Sequence, residues 1–129
     1  MWPRVDGLRS LELGFPGEQR DRLNGYVLHG RKRATAGVLA EYDEEGEVLE
    51  HVGERLVLLD SEGLEVGRID VTDVVVRRFD DVPWEFADAE GEGFSSVEDW
   101  RDAHRRHWAR EGRDITPDTQ IVCLRFDLR

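Results

Sequence analysis

The chain has 129 residues, of which 39% are hydrophobic and 36% charged, and its net charge is −11. That length supports one domain with its own core, and the acidic balance opposes broad phosphate-driven nucleic-acid binding while leaving room for a local basic pocket. Its one cysteine, Cys123, excludes an internal disulfide and a cysteine-built zinc site. No apolar run reaches membrane-spanning length and the first residues lack a signal-peptide core, so the expected partner is not a membrane and the expected compartment is the cytoplasm.

Met1 to Ser10 is mixed and reads as irregular, with Leu11 to Phe15 as a short apolar lead-in. Pro16 suits a first helical position, and Glu18 and Asp21 suit the positive end of a helix dipole. Leu23, Tyr26 and Val27 follow at helical spacing, so a helix is expected from Pro16 to His29, stopped at Gly30. Thr35 to Tyr42 reads as a strand, followed by an acidic turn at Asp43 to Glu47 and one helical turn within Val48 to Gly53. Glu54 to Asp60 and Leu64 to Ile69 form a hairpin around Ser61-Glu62-Gly63, and Val71 to Phe79 adds a third strand. The acidic, aromatic and glycine-rich stretch Asp80 to Gly93 predicts a short helix near Pro83 to Ala89 and then a glycine turn. Ser95-Ser96-Val97-Glu98 reads as a capping box. The helix it opens carries Val97, Trp100, His104, His107 and Trp108 on one face and ends at Gly112. Thr119 to Leu128 alternates as a last strand, with Cys123 a small core residue. Hairpin turns outnumber βαβ spacings, which argues for an α+β fold whose sheet is mainly antiparallel, curled or closed, with flanking helices.

The most distinctive segment is His29-Gly30-Arg31-Lys32-Arg33-Ala34-Thr35. Lys32 is the only lysine in the chain; all other Lys/Arg cations are arginine. Arginine supplies charge, but only lysine supplies a compact ammonium whose proton affinity burial can tune. Gly30 permits a left-handed turn, and Thr35 brings a hydroxyl three residues beyond the amine. The same residues also fit a plain cationic helix C-cap, and both readings stand at this level. His104 and His107 lie three residues apart without a third ligand of matching signature, so they read as packed or hydrogen-bonded histidines. No metal and no cofactor is expected.

Gly30-Arg31-Lys32-Arg33-Ala34-Thr35 resembles the Gly-x-Lys-x-x-Thr signature of the ASCH domain. Val52-Gly53-Glu54 resembles the family's turn into its central hairpin. Phe86-Ala87-Asp88-Ala89-Glu90-Gly91-Glu92-Gly93 and Trp100-Arg101-x-x-His104-x-x-x-Trp108 resemble the acidic segment and the helix of one bacterial branch. Val122-Cys123-Leu124-Arg125-Phe126 resembles its closing strand. The likeness runs from residue 11 to 128 in one order. It implies a single PUA-like domain over residues 1–129, a mainly antiparallel β-barrel of five to six strands with helices at its rim, built around a cleft.

Related small ASCH proteins include amidohydrolases acting on N(4)-acetylcytidine, ribonucleases and RNA binders. By the resemblance, Lys32, Thr35 and Glu90 carry the reaction, with Glu92 the competing acid. Gly30, Arg31, Arg33, Trp84, Glu92 and His104 are the expected ligand-binding residues; Trp84 or Trp100 offers a stacking surface for a base, and the apolar helix face of Trp100 favours core packing for it. The implied partner is a modified nucleoside or RNA. Three functions compete: an amidohydrolase, an RNA-binding module with weak ribonuclease activity, and a non-catalytic nucleotide sensor.

Overall fold

The computed structural model describes residues 1–129. Strands β1 (Arg4–Val5), β2 (Leu8–Leu11), β3 (Ala34–Val38), β4 (Arg55–Leu59), β5 (Glu65–Arg78) and β6 (Gln120–Leu128) form one sheet. Their spatial order is β1-β2-β4-β5-β6-β3. Every pairing is antiparallel except that of β2 with β4, which is parallel. Nothing pairs β1 with β3, so the six-stranded sheet is open. Helices α1 (Glu18–Leu28), α2 (Leu39–Glu45), α3 (Trp84–Ala89) and α4 (Val97–Arg110) complete the α+β architecture, with a 3-10 turn at Phe79–Asp81.

Two apolar packings hold the helices to the sheet. Leu23 and Val27 of α1 bury against Leu56, Leu58, Ile69 and Phe126. Trp100 and Trp108 of α4 and Phe86 of α3 bury against Ala34, Val38, Phe79 and Ile121. The α1 packing and the α4 packing part over edge strand β3, which leaves a groove between the two helices.

Several elements differ from the sequence expectation, each for a local reason. Residues 4–11 form a hairpin rather than an irregular lead-in. Asp6 and Gly7 both take positive φ (52° and 79°), the backbone of a tight type I′ turn. The strand expected to run to Tyr42 stops at Val38, and α2 begins at Leu39. Leu-Ala-Glu-Tyr-Asp-Glu-Glu consists mostly of good helix formers, closed by Gly46 at φ 67°. Tyr42 is its buried residue, edge-on to Trp2 with ring centroids 4.8 Å apart.

No helical turn forms within Val48 to Gly53. The two runs Leu64 to Ile69 and Val71 to Phe79 are one continuous strand, β5. A bulge between Val71 and Asp73 lets its first half pair with β4 and its second half with β6. The cap of α4 is shifted by one residue. Ser96 Oγ accepts from the Asp99 N–H at 3.1 Å, and the Asp99 carboxylate accepts from the Ser95 N–H at 3.0 Å.

Candidate active site

The site begins where α1 ends. Gly30 takes φ 77°, and the N–H groups of Arg31 and Lys32 both donate to the Tyr26 carbonyl, at 2.9 and 3.0 Å. The Arg33 N–H then donates to Ala89 O at 2.9 Å, and the Phe126 N–H donates to Arg33 O at 3.0 Å. Residues 31–33 are therefore stitched between α1, the end of α3 and β6 before the chain enters β3.

The second half is the loop after α3. Gly91 and Gly93 have φ of 67° and 86°. A Cβ on Gly91 would lie 2.0 Å from the Arg31 carbonyl oxygen and 2.9 Å from Lys32 Cα, so this backbone is pressed onto the lysine loop. Gly91 stands where the two backbones touch, with Glu90 and Glu92 on either side, and Gly93 faces the Arg31 guanidinium. Lys32 Nζ donates to Glu92 Oε2 at 2.8 Å and to the Glu90 carbonyl at 3.4 Å. The Lys32 side chain is 1% exposed and that of Glu92 is 22%.

The Glu90 carboxylate faces the other way, into α4. Its Oε2 accepts from Trp100 Nε1–H at 2.8 Å and lies 3.1 Å from His104 Nε2. His104 Nδ1 is 2.9 Å from the Trp100 carbonyl. A carbonyl and a carboxylate can only accept, so both ring nitrogens carry protons and His104 is an imidazolium. Burial opposes that charge, but the Glu90 carboxylate beside it prevails and raises the histidine above its ordinary value of 6.5. For Glu90, burial likewise opposes ionisation; the His104 and Lys32 charges and the hydrogen bonds from His104 and Trp100 hold it well below the usual carboxylate range. The imidazolium stacks on the Trp100 ring at 4.2 Å between centroids, a cation–π geometry.

Lys32, Thr35, Glu90, Glu92 and His104 line one cleft of about 290 Å³ between α1 and α4. Thr35 comes from β3, where it sits opposite Leu124. Tyr26, Arg22 and Phe94 add to the cleft wall. Their positions follow from the meeting of α1 with the glycine loop, which single-residue signatures do not encode. Gly30, Arg31, Arg33 and Trp84 do not line it. Arg31 sits with its guanidinium 4.2 Å above the Tyr26 ring, and Trp84 is 38% exposed at the start of α3. Glu90, Glu92 and His104 present one ligand atom each within 4.8 Å of one another. A metal there would have to replace the ammonium and the imidazolium proton that now neutralise those carboxylates.

The six-stranded, mainly antiparallel sheet with its flanking helices is a PUA-like α+β fold. The chain belongs to the ASCH domain family, whose model matches residues 12–128. It is similar to a protein of Enterococcus faecalis V583 described as a DUF984-family member, with TM-score 0.80 and 29% identity over 92% of this chain and 74% of that one. An ASCH domain from Lactobacillus crispatus JV V101 also has TM-score 0.80, with 26% identity over 94% of this chain and 80% of that one. An ASCH protein from Zymomonas mobilis, solved as a point mutant, shares the fold at TM-score 0.56 and 10% identity over 83% and 63% of the two chains. None of the curated proteins matches.

Three variants test this geometry. Gly91→Ala combines left-handed backbone with overlap of the Arg31 carbonyl and lowers stability by about 2–5 kcal/mol in urea unfolding. Gly53→Ala, with positive φ but open space, costs about 1–2 kcal/mol. His104 binds its proton more tightly when folded, so its contribution is complete below pH 6.5 and fades as pH rises through the folded value. The gap in melting temperature between wild type and His104→Gln therefore narrows with rising pH; a gap that widens overturns the imidazolium assignment.

Proposed function

We propose that this protein is an amidohydrolase acting on an acylated nucleoside of the N(4)-acetylcytidine type. The observation that carries the reading is a buried ammonium paired with a partly exposed carboxylate, on the wall of a small cleft that also carries a threonine hydroxyl. Amide hydrolysis needs a nucleophile, a proton carrier and positive charge where the oxyanion develops, and these groups supply all of them.

In this reading Thr35 Oγ1 attacks the amide carbonyl carbon and its proton passes to Glu92. Lys32, ion-paired with Glu92 at the cleft wall, stabilises the oxyanion. As the C–N bond breaks, Glu92 returns the proton to the leaving nitrogen, leaving an ester on Thr35. Water then attacks the ester carbonyl, giving one proton to Glu92, and Glu92 restores it to the Thr35 oxygen as the acid departs. Glu92 rather than Glu90 is the proton carrier, because Glu90 is 1% exposed and already engaged by Trp100 and His104. Glu90 and His104 position the loop and supply fixed charge behind it.

A nucleotide or RNA ligand is the second reading. Arg22 on the cleft wall and Arg31 beside it are exposed and make no ion pair, so both are free to meet a phosphate. The charge of −11 limits such contacts to this rim.

Release of cytidine from N(4)-acetylcytidine, followed by chromatography, separates the readings. Thr35→Ala, Lys32→Ala and Glu92→Gln each reduce turnover about 10²–10⁴-fold. Unchanged turnover in all three overturns the assignment. RNA affinity that falls steeply with salt and is lost in an Arg22→Ala/Arg31→Ala double variant, with no turnover by wild type, favours the second reading.

A further inference from the structure

Gln19, Arg22, Leu23 and Tyr26 stand at i, i+3, i+4 and i+7 on α1, so they share one face, and all four line the lysine cleft. Each brings a different chemistry. Leu23 and Tyr26 offer apolar surface, and Arg22 is an exposed charge at the rim. Gln19 is half-buried and offers a neutral amide.

The structure fixes which end of that amide is which. Gln19 Oε1 accepts from the Phe15 backbone N–H at 2.6 Å. A backbone N–H can only donate, so the oxygen must be the atom that faces it. The amide also lies against bare backbone. A Cβ on Gly14 would fall 2.7 Å from Gln19 Oε1 and 2.9 Å from its amide carbon. One hydrogen bond and one glycine therefore hold the side chain in a single orientation. Only the oxygen is used; Nε2 has no partner within the chain and keeps its donor capacity for whatever fills the cleft.

We infer that Gln19 selects the base, its Nε2 donating to the O2 carbonyl of a cytosine ring. The inference rests on the reading of this cleft as a site for an acylated cytidine. Seven residues of helix, roughly 10 Å, separate Gln19 from Tyr26, whose carbonyl accepts from the Lys32 N–H. Gln19 thus faces the end of the ligand remote from the reacting amide. In a cytosine acylated on N4, the ring acceptor remote from that nitrogen is O2. An adenine acylated on its exocyclic nitrogen carries a C–H at the equivalent ring position, which accepts nothing and leaves the donor unpaired. A neutral carbonyl also suits a neutral donor, whereas a phosphate is better met by Arg22 at the exposed rim.

Steady-state kinetics and calorimetry on the intact chain test it. The substrates are N(4)-acetylcytidine and its 2-thio analogue, and the ligands are cytidine and 2-thiocytidine; sulfur keeps the shape and is a weak acceptor. Gln19→Glu is the central variant. One carboxylate oxygen still accepts from the Phe15 N–H, while the free end changes from donor to acceptor. An acid also suits the first turn of α1, so the fold is kept, and the melting midpoint verifies it. Wild type is expected to bind the oxygen compounds about tenfold tighter than the sulfur ones, in KM and in calorimetric affinity, with kcat moving less than about threefold. Gln19→Glu weakens the oxygen compounds about tenfold and brings the oxygen-to-sulfur ratio within about twofold of one. Equal binding of the two by wild type, or an unchanged ratio in Gln19→Glu, overturns the inference; turnover of N(4)-acetylcytidine in that case leaves the amidohydrolase reading standing. A loss in Gln19→Glu confined to kcat also overturns it, because the amide then acts at the reacting carbonyl. Cytidine binding that depends on Gln19, in a wild type without turnover, overturns the amidohydrolase reading and supports the base assignment. Absence of both turnover and cytidine binding overturns both.

Discussion

A buried ammonium must have a counter-charge, and much of this structure follows from giving Lys32 one. Taking a charge out of water costs on the order of several kcal/mol unless a partner of opposite sign is held against it. Here the partner comes from a loop far along the chain. It reaches Lys32 only because Gly91 has no Cβ to strike the Arg31 carbonyl. The close backbone approach and the ion pair are one constraint seen at two scales. The turn at Gly30, the double acceptance at Tyr26 O and the Arg33-to-Ala89 hydrogen bond all hold the lysine loop where that approach occurs.

Behind this pair lies a second, from Glu90 to His104, and the two divide the electrostatic work. Glu90 accepts from an indole N–H and faces an imidazolium with one oxygen, and its side chain is almost fully buried. Glu92 has one strong partner and is partly exposed to the cleft. Two carboxylates two residues apart thus differ in partners and exposure through their surroundings alone. The two cations balance the two carboxylates.

Much of this was legible in the sequence, in ways that can be traced to particular residues. The lone lysine, the threonine three positions on and the glycine-alternated acids mark the cleft, because chemistry of that kind demands particular residue types. Helices α1, α3 and α4 and strands β4 and β6 follow from periodicity and caps. The misses have physical causes. Residues 39–45 follow a strand directly, so their good helix formers read as its continuation, and the burial of Tyr42 against Trp2 is a contact across the fold. The two halves of β5 read as separate because a bulge breaks the alternation without breaking the strand. Trp84 belongs to the same aromatic stretch as Phe86, yet α3 buries Phe86 and leaves Trp84 outside, and no local pattern distinguishes them. The pairing of Lys32 with Glu92 rather than with the Glu90 carboxylate depends on how the glycine turn is wound.

The order of strands carries a kinetic consequence. Strands β4 and β5 are joined by a tight turn, and Leu56 opposite Ile69 closes only a short loop. Edge strand β3 must instead find β6, Ala34 opposite Arg125, most of the chain away. The entropy of closing so long a loop is lost before such distant contacts return anything. Nucleation therefore favours the central hairpin, and β3, which follows the lysine loop, gains its only sheet partner when the final strand arrives.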